Sequence, residues 1–440
     1  MKIKSIHVPH LKNAAGTITT QFLSPNRVVL PVSQHIGAPC TPVVKVGDEV
    51  KVGQLVADSD AFVSSPIYAT VSGTVKEIKD IMTVSGRKVS SVCIESDGLY
   101  TTCDFEPPVI TDKKSLIDAV RKSGAVGLGG AAFPTSVKLS YDKEKTPVDT
   151  LLINGAECEP YICTDHREML ESPVDIIGGI RKLLDILEIP RAIIGIEGNK
   201  PDAIAKLKEV GSVDSRISVK KLKPTYPQGA EKMLVHSCTG RVVMEGELPL
   251  NAGCLVMNVT TIGFLNRYFE TGVPLVTKRL TIDGDCIKEP ENLVVPIGTP
   301  ISETIRYFSE KSGEEINPSL IMMGGPMMGI CVEDIDAPIL KNNNAILMFK
   351  DRTVPKTTDC MRCGSCMRAC PMGLEPTSLE KAYDTKNYTE LEKLKVNLCL
   401  NCGSCTYVCP AKRNLAQKNQ LAKQILAAEK KRLEALKGDE

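Results

Sequence analysis

Residues 360–371 read CMRCGSCMRACP, and residues 399–410 read CLNCGSCTYVCP. Both runs have the form C-x-x-C-x-x-C-x-x-x-C-P, so that eight of the 17 cysteines in this 440-residue chain recur at identical spacing. Each run ends in a proline, which cannot donate a main-chain hydrogen bond and disfavours a helix before it. The repeat predicts one compact unit built around eight thiolates.

This spacing is the pattern of bacterial two-cluster ferredoxins. A [4Fe-4S] cluster needs four thiolates, and the fourth cysteine of each run binds the cluster of the other run. The predicted ligand sets are Cys360, Cys363, Cys366 and Cys409 for one cluster, and Cys399, Cys402, Cys405 and Cys370 for the other. The alternatives are paired zinc ribbons, which place a longer loop between two C-x-x-C pairs, and a disulfide framework, which is typical of small secreted domains.

The composition describes an ordinary globular protein of about three domains. A net charge of +1 and the lack of a basic patch interleaved with aromatic residues exclude a nucleic-acid-binding function. The first residues, MKIKSIHVPH, contain no apolar leader, and no stretch approaches the roughly 18 apolar residues of a membrane span, so we expect no span of its own. Nine further cysteines beside oxygen-sensitive clusters fit a reducing cytosol.

The first part of the chain, residues 1–105, is predicted to be all-β. Short apolar runs at 27–32, 43–46 and 89–94 are separated by glycine and proline. The segments VGDEVKVGQL (46–55) and VSGTV (71–75) resemble the two halves of a biotinyl/lipoyl-type barrel-sandwich. The modified lysine of such carriers would fall near Phe62, and residues 57–71 contain no lysine, so a non-carrier domain is expected.

The next part, residues 111–270, is predicted to be an α/β domain with parallel strands, because helical and strand patterns alternate along it. Asp112 is expected to cap a helix over 113–123, and GLGGAAFPT follows at 127–135. This loop contains G-x-G-x-x-A, but a helix and not a strand precedes it, so a plain glycine-rich turn is the alternative to a dinucleotide site. Its exposed amides would suit a phosphate or an isoalloxazine.

A buried strand is predicted over 148–153, followed by NGAECEPY at 154–161. Polar residues at the carboxyl end of an apolar strand lie where α/β folds bind ligands, although a solvated turn would also suit them. Residues 274–345 are predicted to form a β-grasp module of the soluble-ligand-binding kind. The methionines at 322, 323, 327 and 328 are interpreted as a packing loop and not as a metal site. The ferredoxin domain is predicted over 350–414 and a charged helix over 415–440.

GLGGAAFPTSVKL (127–139), NGAECEPY and the ferredoxin pair, in that order behind a barrel-sandwich, resemble the RnfC component of the Rnf electron-transport complex. The first two motifs resemble, more distantly, the NADH- and flavin-binding subunit of respiratory complex I. The resemblance implies noncovalent FMN and NAD(H) in a Rossmann-like domain beside the two [4Fe-4S] clusters. It departs from the complex I subunit at Ala156, where that subunit has aspartate, and at Cys158, where it has serine.

The resemblance also implies site residues. The glycine loop would lie against FMN and the nucleotide, with Lys138 facing phosphate, and the acidic motif would lie beside the flavin, with catalytic roles for Glu157 and Glu159. The implied cofactor-binding residues are Gly127, Gly129, Gly130, Ala131, Phe133, Lys138, Asn154, Glu157, Glu159, Tyr226, Glu231, Asn258 and Thr260.

These implications predict an oxidoreductase subunit in which hydride passes between NAD(H) and FMN, and single electrons pass through the clusters. In an Rnf-type complex it would exchange electrons between NAD(H) and ferredoxin, reaching ferredoxin through other subunits, while membrane partner subunits move ions. It would then be peripheral to the cytoplasmic face of the cell membrane. The alternatives are an NADH-dependent cobalamin reductase of a microcompartment and a flavin-free iron–sulfur relay adaptor.

Overall fold

The computed structural model describes residues 4–22, 24–83, 86–351 and 353–438. Its fold is multidomain and mixes α/β with β architecture, as the sequence predicts. Residues 439 and 440, at the end of the predicted C-terminal helix, lie outside the described part. Within that part, no helix combines the length and the apolar character needed to cross a bilayer.

The first region is a barrel-sandwich of two small sheets around a shared apolar core that includes Val28, Leu30 and Val75. The sheets have the orders β2-β8-β7-β4 and β3-β5-β6. The strands are β1 (Thr20–Gln21), β2 (Arg27–Pro31), β3 (Thr41–Pro42), β4 (Glu49–Val50), β5 (Leu55–Asp58), β6 (Ile67–Tyr68), β7 (Gly73–Met82) and β8 (Lys88–Ser96). The strand predicted over 43–46 is wrong, because these residues form a connection in which Val43 and Val46 are exposed.

The second region is an α/β layer whose four strands are all parallel, in the order β11-β10-β9-β12. Its elements are α1 (Lys113–Lys122), α2 (Thr135–Leu139), β9 (Thr150–Gly155), α3 (Thr164–Glu171), α4 (Pro173–Leu187), β10 (Ala192–Glu197), α5 (Pro201–Gly211), β11 (Ile217–Leu222), α6 (Glu231–Thr239), a 3-10 turn (Pro249–Ala252), β12 (Cys254–Asn258) and α7 (Val259–Thr271). The predicted cap is confirmed, since the Asp112 carboxylate accepts a hydrogen bond from the Ser115 amide.

The chain runs from β9 through β10 to β11 and then returns to place β12 on the other side of β9. The strand order therefore reverses between β9 and β12. In open α/β sheets, the crevice outside the carboxyl ends of two such strands is where ligands bind.

The third region is a mixed sheet covered by one helix, with the strand order β1-β14-β13-β17-β15-β16. The short β1 leaves the first region to pair in parallel with β14. The other elements are β13 (Thr277–Asp283), β14 (Glu291–Pro296), α8 (Ile301–Ser312), β15 (Leu320–Met323), β16 (Ile330–Val332) and β17 (Ala345–Phe349).

The fourth region is made of short helices and irregular loops around the cysteine runs. They are α9 (Ser365–Ala369), α10 (Pro376–Asp384), α11 (Tyr388–Lys393), a 3-10 turn (Val396–Leu398), α12 (Ser404–Tyr407) and the long α13 (Leu415–Gly438). Helices α10 and α11 lie between the two cysteine runs. Buried Leu379, Leu391 and Leu426 join α10, α11 and α13 in one apolar core.

Candidate functional site

The crevice at the strand-order reversal is flanked by two asparagines. Asn154 near the end of β9 is paired in register with Asn258 at the end of β12. The side chain of Asn154 donates from Nδ2 to the Gly229 carbonyl at 2.9 Å, and its Oδ1 accepts from the Ala156 amide at 3.2 Å. The parallel sheet therefore brings together two predicted site residues that lie about a hundred positions apart in the sequence.

The glycine loop lies over the β12 side of this crevice. The Leu128 amide donates to Thr261 Oγ1 at 3.0 Å, and a Cβ atom added at Gly129 would lie 2.8 Å from Asn258 Nδ2. Gly129, Gly130 and Ala131 are exposed. The absence of side chains at Gly129 and Gly130 therefore leaves main chain at the surface, as the cradle for a planar ring or a phosphate requires.

Asn258 and Thr260 are held by a buried carboxylate that the sequence analysis missed. Asp165 Oδ2 accepts from Asn258 Nδ2 at 2.8 Å, and Oδ1 accepts from Thr260 Oγ1 at 2.6 Å. Asn258 Oδ1 in turn accepts from the Thr260 and Thr261 amides and so caps α7. Burial raises the pKa of Asp165. The two hydrogen bonds to Asp165 therefore hold the side chains of Asn258 and Thr260 in place at the crevice.

Lys138, predicted to face phosphate, lies beside another predicted site residue. Its ammonium donates to Glu231 Oε1 at 2.7 Å and to the Val256 carbonyl at 3.0 Å. The structure thus brings Lys138 and Glu231 together on the outer side of β12. Phe133, also predicted in the loop, is half-buried.

The carbonyl groups of the glycine loop and the turn before it are held by donors from the other regions. Lys278 Nζ on β13 donates to the Leu128 carbonyl at 2.8 Å, and Lys341 Nζ donates to the Gly124 carbonyl at 2.9 Å. The Ile36 amide of the barrel-sandwich donates to the Ala132 carbonyl at 3.0 Å. Burial lowers the pKa of Lys278 to about 8 and that of Lys341 to about 7. The loop is therefore positioned jointly by the first and third regions.

Glu157, in the acidic motif after β9, adopts a left-handed backbone conformation with φ of +49°. Its carboxylate accepts from the main-chain amides of Asp165 at 2.6 Å and His166 at 3.3 Å, at the start of α3. Anions are favoured at this end of a helix. Burial nevertheless raises the pKa of Glu157 to about 7.

Glu159 faces in another direction, towards the third and fourth regions. Its Oε2 accepts from the Met327 amide at 3.2 Å. Within the described part of the chain, its Oε1 and the hydroxyl of Tyr226 are both buried without a hydrogen-bond partner. Burial raises the pKa of Glu159 to about 7 and also raises that of Tyr226. The Glu159 and Tyr226 side chains interact with each other, but neither atom has a well-formed hydrogen bond, which a polar ligand or water would supply.

Two lysines behind the acidic motif, Lys200 buried and Lys12 half-buried, were also missed. Lys12, from the N-terminal segment, donates to the carbonyls of Glu157 at 2.9 Å and Glu159 at 2.8 Å, and also to that of Ile162. Lys200, whose side chain is 2% exposed, donates to the Ala156 carbonyl at 2.7 Å and lies 3.5 Å from Glu197 Oε2. Because lysine is rarely buried, a lysine in the sequence does not indicate that its side chain lies inside the protein and supports a site.

The eight cysteines of the two runs line two separate cavities, each with the four cysteines that the spacing predicts. An inner cavity is lined by Cys370, Cys399, Cys402 and Cys405. An outer, more open cavity is lined by Cys360, Cys363, Cys366 and Cys409.

In neither cavity do three ligand-type side chains of the described residues converge closely enough for a single metal ion. Four thiols that face one cavity without converging on a single point fit a [4Fe-4S] cluster, in which each iron binds one thiolate, whereas zinc needs its ligands close together.

The inner cavity lies next to the acidic motif. Cys402 packs in one apolar cluster with Tyr226, with Cys158 and Met327 against it. A Cβ atom at Gly403 would lie 2.5 Å from the Met327 carbonyl oxygen, so the cysteine loop is in direct contact with the loop that binds Glu159. The cavity of Cys402 is therefore the one nearer the crevice, while Cys360 and Cys363 of the outer cavity are exposed.

Comparisons with known proteins agree with this arrangement. The chain matches the family models of the RnfC barrel sandwich hybrid domain over residues 3–99, the Nuo51 FMN-binding domain over 120–266 and the 4Fe-4S dicluster domain over 356–413. The fold and the two sites thus define a class of flavin- and iron–sulfur-containing oxidoreductase subunits, with FMN and two [4Fe-4S] clusters as cofactors.

Two similar relatives identify the family. The RnfC-type component of the proton-translocating ferredoxin:NAD(+) oxidoreductase complex of Clostridium ljungdahlii is 43% identical over 361 residues, 81% of this chain and 78% of the relative. The corresponding component of the Na(+)-translocating ferredoxin:NAD(+) oxidoreductase complex of Acetobacterium woodii is 40% identical over 434 residues, 97% of each chain. This chain belongs to the RnfC family of Rnf complex components, which confirms the resemblance inferred from its motifs.

A crystal structure of an NAD+-reducing [NiFe]-hydrogenase in the air-oxidized state has a similar fold. The TM-score is 0.50 at 16% identity, and the match covers 72% of this chain and 63% of the hydrogenase chain, which is less than two thirds of it. The similarity supports the fold alone.

Proposed function

We propose that this chain exchanges electrons between NAD(H) and a ferredoxin pool as the peripheral subunit of an ion-translocating membrane complex, on the cytoplasmic face of the membrane. The observation that carries the proposal is the apolar cluster that contains both Tyr226 and Cys402, which joins the crevice of the α/β region to the inner cysteine cavity. The relatives named above are subunits of ferredoxin:NAD(+) oxidoreductase complexes.

The proposed flavin and nucleotide site comprises the glycine loop, the acidic motif and the later contacts Tyr226, Glu231, Asn258 and Thr260. FMN, when bound, takes up two electrons as hydride and releases them singly, which matches a two-electron nucleotide to one-electron clusters. The exposed main chain at Gly129 and Gly130 would hold the isoalloxazine or a phosphate, and Asn258 is fixed beneath it by Asp165.

Glu157 and Glu159 have different proposed roles. The Glu157 carboxylate keeps the motif in place by binding the start of α3, whereas Glu159 has a free buried oxygen at the edge of the site. With a pKa of about 7, Glu159 can hold or release a proton there near neutral pH.

We further propose the division of the chain into a barrel-sandwich (1–105), an FMN/NADH domain (111–270), a β-grasp domain (274–345), a ferredoxin domain (350–414) and a C-terminal helix (415–440). The two cysteine sets that line the inner and outer cavities are the proposed ligands of the two clusters. Membrane subunits of the complex would supply the path for ions.

The function is tested on the full chain, purified without oxygen and reconstituted with FMN, iron and sulfide. We expect about one FMN and about eight iron atoms per chain, and NADH-dependent reduction of ferricyanide. Failure to retain FMN, with no oxidation of NADH by correctly folded protein, would contradict the proposal.

The other two functions are less well supported. The match to an FMN-binding domain over 120–266 argues against a flavin-free relay, and both relatives reported above are named as subunits of ferredoxin:NAD(+) oxidoreductase complexes and not as cobalamin reductases. A corrinoid reduction assay on the same preparation tests the alternative function of an NADH-dependent cobalamin reductase.

A further inference from the structure

The outer cysteine cavity opens onto a surface that combines exposed methionines with cations. Met361 is 62% exposed and Met367 is 40% exposed, and both line the cavity. Arg362 and Arg368 are exposed beside them. We call these four residues the outer rim. Exposed apolar side chains bordered by charge are typical of interaction sites, and methionine adapts to different partner surfaces.

The charge around the outer rim departs from that of the whole chain, which is nearly neutral. Lys4, Lys356 and Lys412 are exposed close to it: Lys4 Nζ donates to the Met367 carbonyl at 3.3 Å, and Lys412 follows the cavity-lining Ala411. With Arg362 and Arg368 these make five cations, and Asp359 is the exposed carboxylate next to Cys360.

None of the five cations forms an ion pair with a carboxylate of the described residues, although the same domain pairs Arg413 with Glu380 and Lys418 with Asp384. The five cations outnumber the negative charge of about −3 that Asp359 and an oxidised four-thiolate [4Fe-4S] cluster would carry together, so a net positive potential remains over the opening. Such a potential attracts and orients an acidic partner and raises its association rate.

We propose that the outer rim is the docking surface for an acidic iron–sulfur protein domain that exchanges single electrons with this chain. The inference rests on the proposed function, because a partner that exchanges electrons with a cluster held by the outer cysteines must approach the face where Cys360 and Cys363 are exposed. Small, weak and charge-guided contacts are typical of redox partners.

An anionic membrane surface is the other occupant that cations could attract. The outer rim lies on an irregular loop and a five-residue helix, α9, and Met361 and Met367 are its exposed apolar side chains. Membrane-surface segments are instead long amphipathic helices with a broad apolar face. The geometry therefore favours a protein partner.

The binding test uses the reconstituted full chain, immobilised, with an acidic bacterial two-cluster ferredoxin as the probe, at low and high ionic strength. We expect binding that weakens with salt, since exposed charges are screened beyond about 10 Å at 0.1 M salt. The double variant Arg362→Glu with Lys412→Glu should weaken binding at low salt by about tenfold or more. Lys431→Glu, which makes the same kind of charge change on the exposed side of α13, is the control and should leave binding unchanged.

Iron content is measured for every variant. If the double variant fails to load iron, Lys4→Glu with Lys356→Glu, which changes residues outside the cysteine loop, takes its place. Equal binding by the charge-reversed and unchanged chains, or no binding of ferredoxin at all, would overturn the docking proposal. The docking proposal would also be overturned if the chain bound phosphatidylserine vesicles and the same substitutions abolished that binding while ferredoxin binding persisted.

The docking proposal and the proposed function can fail separately. NADH-dependent loss of flavin absorbance is recorded on the same preparations, and it does not require a protein partner. If it occurs normally and ferredoxin binding is insensitive to the outer rim, only the docking proposal is wrong. If the unchanged chain retains FMN but NADH does not reduce it, the proposed function is wrong.

Discussion

The ammonium nitrogen of Lys12 lies 2.9 Å from the main-chain carbonyl oxygen of Glu157 and 3.8 Å from that residue's carboxylate. Lys12 reaches this position from the N-terminal segment, across about 145 residues of sequence. It therefore links the start of the chain to the acidic motif of the proposed flavin site.

Lys12→Met should loosen the acidic motif. It removes donors to the Glu157, Glu159 and Ile162 carbonyls and the positive charge near a buried carboxylate, so we expect a loss of about 2–4 kcal/mol of stability. FMN affinity, measured by fluorescence titration, should fall. Lys114→Met, on the exposed side of α1, is the matched control and should change neither quantity. Unaltered FMN affinity and stability in Lys12→Met would show that the contact is dispensable.

Gly129→Ala should weaken FMN binding. The added Cβ would lie 2.8 Å from Asn258 Nδ2, which forces Asn258 away from Asp165 and from the amides it caps at the start of α7. Loss of such a cap costs about 1 kcal/mol, and the loop would move with it. Equilibrium dialysis of FMN measures the effect. Gly16→Ala, where a Cβ has open space, is the control, and equal FMN affinity in both variants would refute the steric argument.

The stability of the flavin-free chain should fall as the pH rises from about 5 to about 7. Burial raises the pKa of Glu159 from 4.5 to about 7, so in this interval the folded chain holds a proton that the unfolded chain has released. Folding is then favoured at low pH, and the advantage, at most about 3 kcal/mol, is lost as the pH passes the folded-state value.

Glu159→Gln should reduce this pH dependence of the thermal unfolding midpoint by about half, because burial also raises the pKa of Glu157 to about 7. The infrared absorption of protonated carboxyl groups that disappears near pH 7 in the unchanged chain should lose the Glu159 component in the variant and keep that of Glu157. Glu315→Gln, an exposed glutamate, is the control. An identical pH profile in Glu159→Gln would assign the titration to another group.

Cys402→Ala should remove one cluster and leave the flavin site working. Iron should fall from about eight to about four atoms per chain, and electron transfer from reduced ferredoxin to NAD+ should stop while NADH still bleaches the flavin. Cys331→Ala, an exposed cysteine outside both runs, is the control and should keep full iron content. Loss of flavin reduction in well-folded Cys402→Ala would contradict the proposed division of labour between the two halves of the chain.

Local patterns in the sequence predicted much of the fold. The Asp112 cap depends on residues that are neighbours along the chain, and the structure confirms it. The cysteine runs are also local patterns, and the four cysteines predicted for each cluster line one cavity. The strand predicted over 43–46 was wrong because the ladder beside β5 ends after Val43, whose amide donates to the Val56 carbonyl, and the chain then turns with Val46 exposed.

The supports of the candidate site could not be predicted in this way. Lys12, Lys200, Lys278 and Lys341 act by donating to main-chain carbonyls far away in sequence, and nothing in their local sequence distinguishes them from surface lysines. The same holds for Asp165, whose partners Asn258 and Thr260 follow about ninety residues later. Such contacts depend on the tertiary arrangement alone.

The bond between the Ile36 amide and the Ala132 carbonyl has a practical consequence. Together with Lys12 and Lys278, it means that the proposed flavin and nucleotide crevice is held in shape by three regions of the chain. The segment 111–270 expressed by itself would lose these outside donors. The barrel-sandwich, which has no lysine to carry a cofactor between its two halves, is thus a structural part of the proposed redox site, and a fragment designed to bind FMN should include it.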